Sequence, residues 1–131
     1  RVAIAGVMAM MPDILILDEP AAGLDPRGRE EILNGISDYR NQHNSTVIIV
    51  SHSMEDMAKY SDDIVVMKDA KLCLNGPKDD IFKEADTLTS VGLDIPAITK
   101  LSRKLCDMGV PVCKGCFSVE SCVESLAKIL N

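Results

Sequence analysis

The hydrophobic pattern opens with an apolar stretch from Val2 to Met11, about half of what a bilayer span requires. Its Ala and Met content predicts a buried helix ending at Met11-Pro12. Arg1 in front of it imitates a secretory signal, but no small-residue cleavage site precedes a polar mature start. Asp13-Ile14-Leu15-Ile16-Leu17 then runs apolar without alternation, which is how a strand covered on both faces of a parallel sheet reads. It stops at Asp18-Glu19-Pro20. From Arg27 to Gln42, Ile32, Leu33, Ile36 and Tyr39 fall at helical spacing, and His43-Asn44-Ser45 breaks that helix. Thr46-Val47-Ile48-Ile49-Val50 is a second doubly covered strand, ending in Ser51-His52-Ser53. Strand, helix, strand in this order is a crossover unit, so the two strands should lie parallel with their carboxyl ends on one rim. Ligand sites of open α/β sheets form at that rim, where Asp18, Glu19 and His52 fall.

Further along, Ser53 is suited to cap a short helix from Met54 to Tyr60, with Asp56 in its acidic first turn. Ile64-Val65-Val66-Met67 and Lys71-Leu72-Cys73-Leu74, separated by Lys68-Asp69-Ala70, predict a hairpin that closes the sheet. Ala70 suits positive φ less well than Gly, which leaves the turn type open. Pro77 begins a short helix carrying Ile81 and Phe82, and 84–94 reads as a linker rich in Thr, Ser and Gly. Two more helices complete the chain. The first spans Pro96 to Met108, with Asp94 near its start and Gly109 just past its end. The second spans Ser118 to Leu130, with Ser121 and Glu124 as a capping box and Val119, Cys122, Val123, Leu126 and Ile129 as an apolar stripe. Such short amphipathic helices must pack on the main domain or on a partner.

Composition narrows the class. At 131 residues the chain buries roughly two-thirds of its unfolded surface, enough for one core and a small appendage. A hydrophobic share of 47% excludes a disordered acidic tail. The net charge of -6, without any cluster of Lys and Arg, argues against a nucleic-acid partner. Five cysteines, an odd number without an export signal, are expected as reduced thiols in a cytosolic protein.

Two adjacent carboxylates at the end of a buried strand are costly to desolvate, so something positive should compensate them. An Asp on Mg²⁺ followed by a Glu aimed at a nucleophilic water is the arrangement that phosphoryl transfer from ATP needs. An isolated Asp-Glu pair is more often only a polar turn, and an isolated strand-end histidine only a satisfied surface or core residue. The context alters both readings here. Ile14-Leu15-Ile16-Leu17-Asp18-Glu19-Pro20, followed by Gly23-Leu24-Asp25-Pro26 and later by Val50-Ser51-His52, resembles the second half of ATP-binding-cassette ATPases.

That resemblance implies an α/β fold: the carboxyl-terminal part of a P-loop NTPase domain with a mainly parallel sheet, plus a small helical extension. It implies that Asp18 is the Walker B carboxylate holding Mg²⁺ through water and that Glu19 is the general base. Asp25 would lie in the D-loop, which reaches across a nucleotide-sandwiched dimer, and His52 would be the switch histidine at the γ-phosphate of ATP. Arg1-Val2-Ala3-Ile4-Ala5 resembles the segment directly after the family's signature loop. These residues contain no Gly-rich phosphate cradle of the type GxxxxGK[ST], so ATP and Mg²⁺ belong to the full-length protein and this fragment alone is expected to be inactive.

The tail, Val91-Gly92-Leu93-Asp94-Ile95-Pro96 with Leu101 to Leu105 and Gly109-Val110, is similar to the extension of energy-coupling-factor ATPase subunits, the cobalt, nickel and vitamin importers. The organisation implied is 1–83 ATPase part, 84–94 linker and 95–131 helical extension serving dimerisation. A second ATPase subunit, identical or not, and a transmembrane coupling subunit are the implied partners, at the cytoplasmic face of the membrane. Two other classes compete. A receiver domain would use Asp18 as phosphoacceptor, but the acidic pair it needs upstream is absent. A zinc module would use Cys106, Cys113, Cys116 and Cys122 as thiolates. Cys106 and Cys122 also fall where cysteine serves as a small hydrophobe.

Overall fold

The first apolar stretch forms α1 (Val2–Met8) in this computed structural model, which describes residues 2–112 and 115–130. The helix ends before Met11, whose φ of 50° is left-handed. No residue of α1 is buried and Val2 is 88% exposed, which corrects the expectation of a buried helix. Apolar composition makes a helix adhesive without supplying the surface that covers it.

The two unalternating runs become β1 (Ile14–Asp18) and β2 (Thr46–Val50), joined by α2 (Pro26–His43). They pair in parallel, Ile14 opposite Thr46 through to Asp18 opposite Val50, as the crossover order requires. Asp25 starts α2 by accepting the amide N–H of Gly28 at 3.1 Å, with Pro26 in the first turn where its missing N–H is harmless. Asn44 ends it in the left-handed region, φ 50°. Tyr39 Oη and Ser45 Oγ both donate to the carbonyl of Pro12, at 3.4 and 3.2 Å, tying the end of the crossover to the start of β1. Leu15, Leu17, Leu33, Ile36 and Tyr39 are buried. Ile14 and Ile16 are not, at 60% and 66% exposure, and neither are Ile48 and Val50. The strands therefore alternate in burial, correcting the expectation that both faces are covered: the described residues leave one face of the pair open.

Residues 1–52 and 53–131 cluster as two separate units. The second begins with α3 (Met54–Tyr60), capped by Ser53 Oγ, which accepts the N–H of Asp56 at 3.3 Å. β3 (Asp63–Lys68) and β4 (Lys71–Pro77) form the expected hairpin, with a bulge between Val66 and Met67. Asp69 and Ala70 both take positive φ, 50° and 58°, the conformation of a two-residue hairpin turn whose twist matches the strands. The hairpin forms a two-stranded sheet within this unit.

After the short α4 (Lys78–Ile81) comes α5 (Ala85–Ser90), where the sequence reads as a linker. Leu88 has no exposed surface and Ala85 only 3%, so this stretch is packed structure. Its Thr and Ser are compatible with a helix because Thr89 and Ser90 return their hydroxyls to the carbonyls of Ala85 and Thr87. In α6 (Ala97–Asp107) the fully buried residues are Thr99 and Ser102. Both are satisfied: Thr99 Oγ1 donates to the carbonyl of Cys116 at 2.7 Å and Ser102 Oγ to that of Thr99 at 3.0 Å. Gly109, φ 87°, closes this helix as expected.

In α7 (Val119–Leu130) the capping box is Ser118 with Ser121, not Ser121 with Glu124. Ser118 Oγ accepts the N–H of Ser121 at 3.1 Å and Ser121 Oγ accepts that of Ser118 at 3.4 Å. Helix formation reaches back to Val119, so the residue just before it is the one with orphan donors to satisfy. Of the apolar stripe, Cys122 is buried, whereas Val119 and Val123 are 61% and 57% exposed.

Leu88→Ala should destabilise the protein by about 2–5 kcal/mol in chemical denaturation, the range for emptying a fully buried site. Val65→Ala, at a residue 60% exposed, should change stability by less than about 0.5 kcal/mol.

Candidate functional site

β1 delivers its last residue, Asp18, opposite Val50, and the chain then turns. Glu19 still donates its N–H to the carbonyl of Val50 at 2.9 Å, extending the ladder by one bond. Its φ of 45° is left-handed, a conformation that costs a side-chain-bearing residue roughly 1–2 kcal/mol. The turn is held by the N–H of Ala22, which donates to the carbonyl of Glu19 at 3.0 Å. This takes Glu19 out of the alternation of the strand, and its carboxylate meets the residues leaving β2.

Three donors converge there. The backbone N–H of His52 donates to Glu19 Oε1 at 3.1 Å, and the His52 ring contacts the same oxygen through Nδ1 at 2.6 Å. An ionised carboxylate has only lone pairs to offer, so Nδ1 carries the hydrogen in this contact. Ser51 Oγ donates to Oε2 at 3.2 Å. The hydrogen bond from the His52 side chain is the largest influence on Glu19 and holds its carboxyl below the ordinary value of 4.5. The His52 N–H, the attraction of the imidazole and the Ser51 hydroxyl act in the same direction, against partial burial. Glu19 is about one-third exposed and His52 is largely open at 84%, so the carboxylate is held at the rim and the free edge of the ring faces outward.

Of the four residues singled out in the sequence, the structure brings Glu19 and His52 into direct contact and sets Asp18, exposed, immediately before Glu19. Asp25 is engaged elsewhere, as the cap of α2 through Oδ1. Ser51 stands in the Val50-Ser51-His52 motif, but nothing in the sequence gave it a role of its own. Its contact with Glu19 exists only because two strand ends distant in sequence lie side by side.

Among the described residues no group of three or more His, Cys, Asp or Glu is placed to hold a metal. Mg²⁺ does not need one: it commonly takes one or two carboxylates and completes its octahedron with phosphate oxygens and water, so a single exposed carboxylate such as Asp18 fits it. Of the thiols considered for zinc, Cys106 Sγ donates to the carbonyl of Val112 at 2.9 Å, and Cys116 and Cys122 are buried. Cys113 lies outside the described residues. Among the described residues no helix is long and apolar enough to cross a membrane.

No protein-family profile matches the chain. Relatives are nevertheless plain. Over all 131 residues it is 50% identical to the energy-coupling factor transporter ATP-binding protein EcfA2 of Clostridium tetani and 49% identical to that of Clostridium acetobutylicum. The alignment takes in 100% of this chain and 46% of each relative, so the chain spans about half the length of the curated proteins it matches. Among solved structures, cbiO1 from Clostridium perfringens, described as part of the ABC transporter complex cbiONQ, matches with a TM-score of 0.59 and 35% identity over 82% of this chain and 39% of that one. Across all of its own residues the chain is homologous to part of the energy-coupling-factor transporter ATP-binding subunits, and it has the fold of the carboxyl-terminal part of an ABC ATPase.

Proposed function

We propose that the protein to which this chain belongs is the ATP-hydrolysing subunit of an energy-coupling-factor importer. The observation that carries this reading is the contact of Glu19 with His52 across the carboxyl ends of two parallel strands, 2.6 Å apart, beside Asp18. In the proposed assignment Asp18 holds Mg²⁺ through water, Glu19 orients the attacking water, and His52 meets the γ-phosphate. The metal, when bound, supplies neutralisation of charge on the phosphate oxygens.

The protein's own groups divide the remaining work. A glutamate kept below 4.5 is fully ionised at neutral pH, with lone pairs available to a water molecule. A carboxylate is a weak base at neutral pH, so the role proposed for it is to orient that water as general base, in keeping with phosphoryl transfer being mainly a matter of positioning and charge stabilisation. With Nδ1–H directed at Glu19, His52 would donate from Nε2 to a phosphate oxygen as the imidazolium, the form in which both ring nitrogens carry hydrogen. A shift of either strand end would therefore disturb both contacts together.

Asp25 belongs in the same proposal as the D-loop residue that reaches toward a second ATPase subunit, identical or not. Its Oδ1 caps α2, which fixes the loop carrying it. The region 95–131 is proposed to take part in that pairing, supported by the exposure of Val119 and Val123 at successive turns of α7. A transmembrane coupling subunit would seat the dimer at the cytoplasmic face of the membrane. Cobalt, nickel or a vitamin is the proposed cargo class, with selection left to membrane partners.

In the full-length protein, Glu19→Gln should reduce ATP turnover by at least about a hundredfold while leaving ATP binding within about threefold, as checked by phosphate release and nucleotide titration; wild-type turnover would remove Glu19 from the mechanism. This chain by itself should show no micromolar, magnesium-dependent affinity in a fluorescent-nucleotide titration. Because the Glu19 carboxyl is depressed, its contact with His52 stabilises the folded state above 4.5 and is lost as pH falls through the lower folded value. A carbon-detected NMR titration should place the Glu19 midpoint below 4.5, and His52→Ala should move it upward.

A further inference from the structure

The geometry points to Ser51 as a positioning residue for the Glu19 carboxylate, acting through the hydrogen bond from its Oγ to Glu19 Oε2 at 3.2 Å. The inference rests on the reading of Glu19 as the group that orients the attacking water. Both contacts from His52, the N–H at 3.1 Å and Nδ1 at 2.6 Å, fall on Oε1. A carboxylate gripped by one oxygen can still turn, because the last torsion of a glutamate is broad and roughly two-fold. A donor on Oε2 removes that freedom. Ser51 is half-buried, so water competes less for this hydroxyl than it would at an open position.

Chain adjacency adds to the effect. Ser51 and His52 are consecutive, so one short piece of backbone leaving β2 sets the hydroxyl, the amide and the imidazole together. The plane of the carboxylate is thereby referred to the end of β2, while its Cα is referred to the end of β1 by the N–H of Glu19 on the carbonyl of Val50, at 2.9 Å. A carboxylate has about four lone-pair sites. One hydroxyl on Oε2 leaves a site there for the water to be aligned, and that site points in a fixed direction only while Ser51 holds its place.

Substitution of Ser51 by Thr and by Val in the full-length protein with its partner subunits tests this, with phosphate release measured over a range of ATP concentrations. Ser51→Thr keeps a hydroxyl and should hold kcat within about twofold of wild type. Ser51→Val, nearly the same shape as Thr, should lower kcat by about three- to tenfold with KM for ATP within about twofold, the scale of one ordinary lost hydrogen bond. Misfolding caused by the branched side chain would affect both variants, so equal losses in the two overturn the inference. So does a rise in KM at constant kcat. Glu19→Gln, run alongside, separates the two layers: an inactive Glu19→Gln with a fully active Ser51→Val overturns the role of Ser51 alone, whereas a fully active Glu19→Gln overturns the reading of Glu19 and the role of Ser51 with it.

Discussion

The parallel register of β1 with β2 is the constraint on which the candidate site depends. Asp18 faces Val50, and this places Glu19 one step beyond the ladder, beside the residues that leave the neighbouring strand. A slip of one residue would displace His52 by about 3.3 Å and reverse the faces of every side chain on one strand. The 2.6 Å contact of Glu19 with His52 would not survive it. The register is secured at the far end of the pair, where the N–H of Thr46 donates to the carbonyl of Asp13 and two hydroxyls donate to that of Pro12. The stiff end of the unit thus lies opposite its chemical end.

At that chemical end, local strain and electrostatics act together. Glu19 occupies a left-handed conformation that an unconstrained glutamate avoids, and three hydrogen bonds to its carboxylate, together with its backbone bond to Val50, offset the strain. The donors also favour the ionised form, so the pose and the charge state are set by the same contacts. Asp18, adjacent but still on the strand, remains exposed and open to a cation.

The second unit reaches order by other means. Its core holds Leu88, Phe82 and Ile81 from short helices, and Phe82 stacks on Phe117 with ring centroids 5.5 Å apart. α6 directs hydroxyls inward, and Thr99 on the carbonyl of Cys116 joins it to the segment before α7. A buried hydroxyl with a partner is inexpensive, and it frees Leu101 and Met108 to stand at the surface, 49% and 79% exposed.

What the residues dictated by themselves was much of the short-range structure. β2 and α3 fall within the limits their pattern sets, α2 stops at Asn44 within the expected breaker, and Gly109 ends α6, because caps, breakers and apolar periodicity act over a few residues. Asp18, Glu19 and His52 fall at or just past the ends of the two apolar runs, which puts them on one rim, but the roles proposed for them rest on the resemblance of the surrounding motifs. The tertiary structure decided what depends on partners. Whether α1 and the outer face of the strand pair are covered, and whether 84–94 is packed helix or linker, are questions of which surfaces meet, and an apolar residue carries no record of what covers it. The same holds for Ser51. Its identity is written in the chain, but its bond to Glu19 arises only when two strand ends are brought side by side, since a hydrogen bond at 3.2 Å is specified by folding and by nothing in the local sequence.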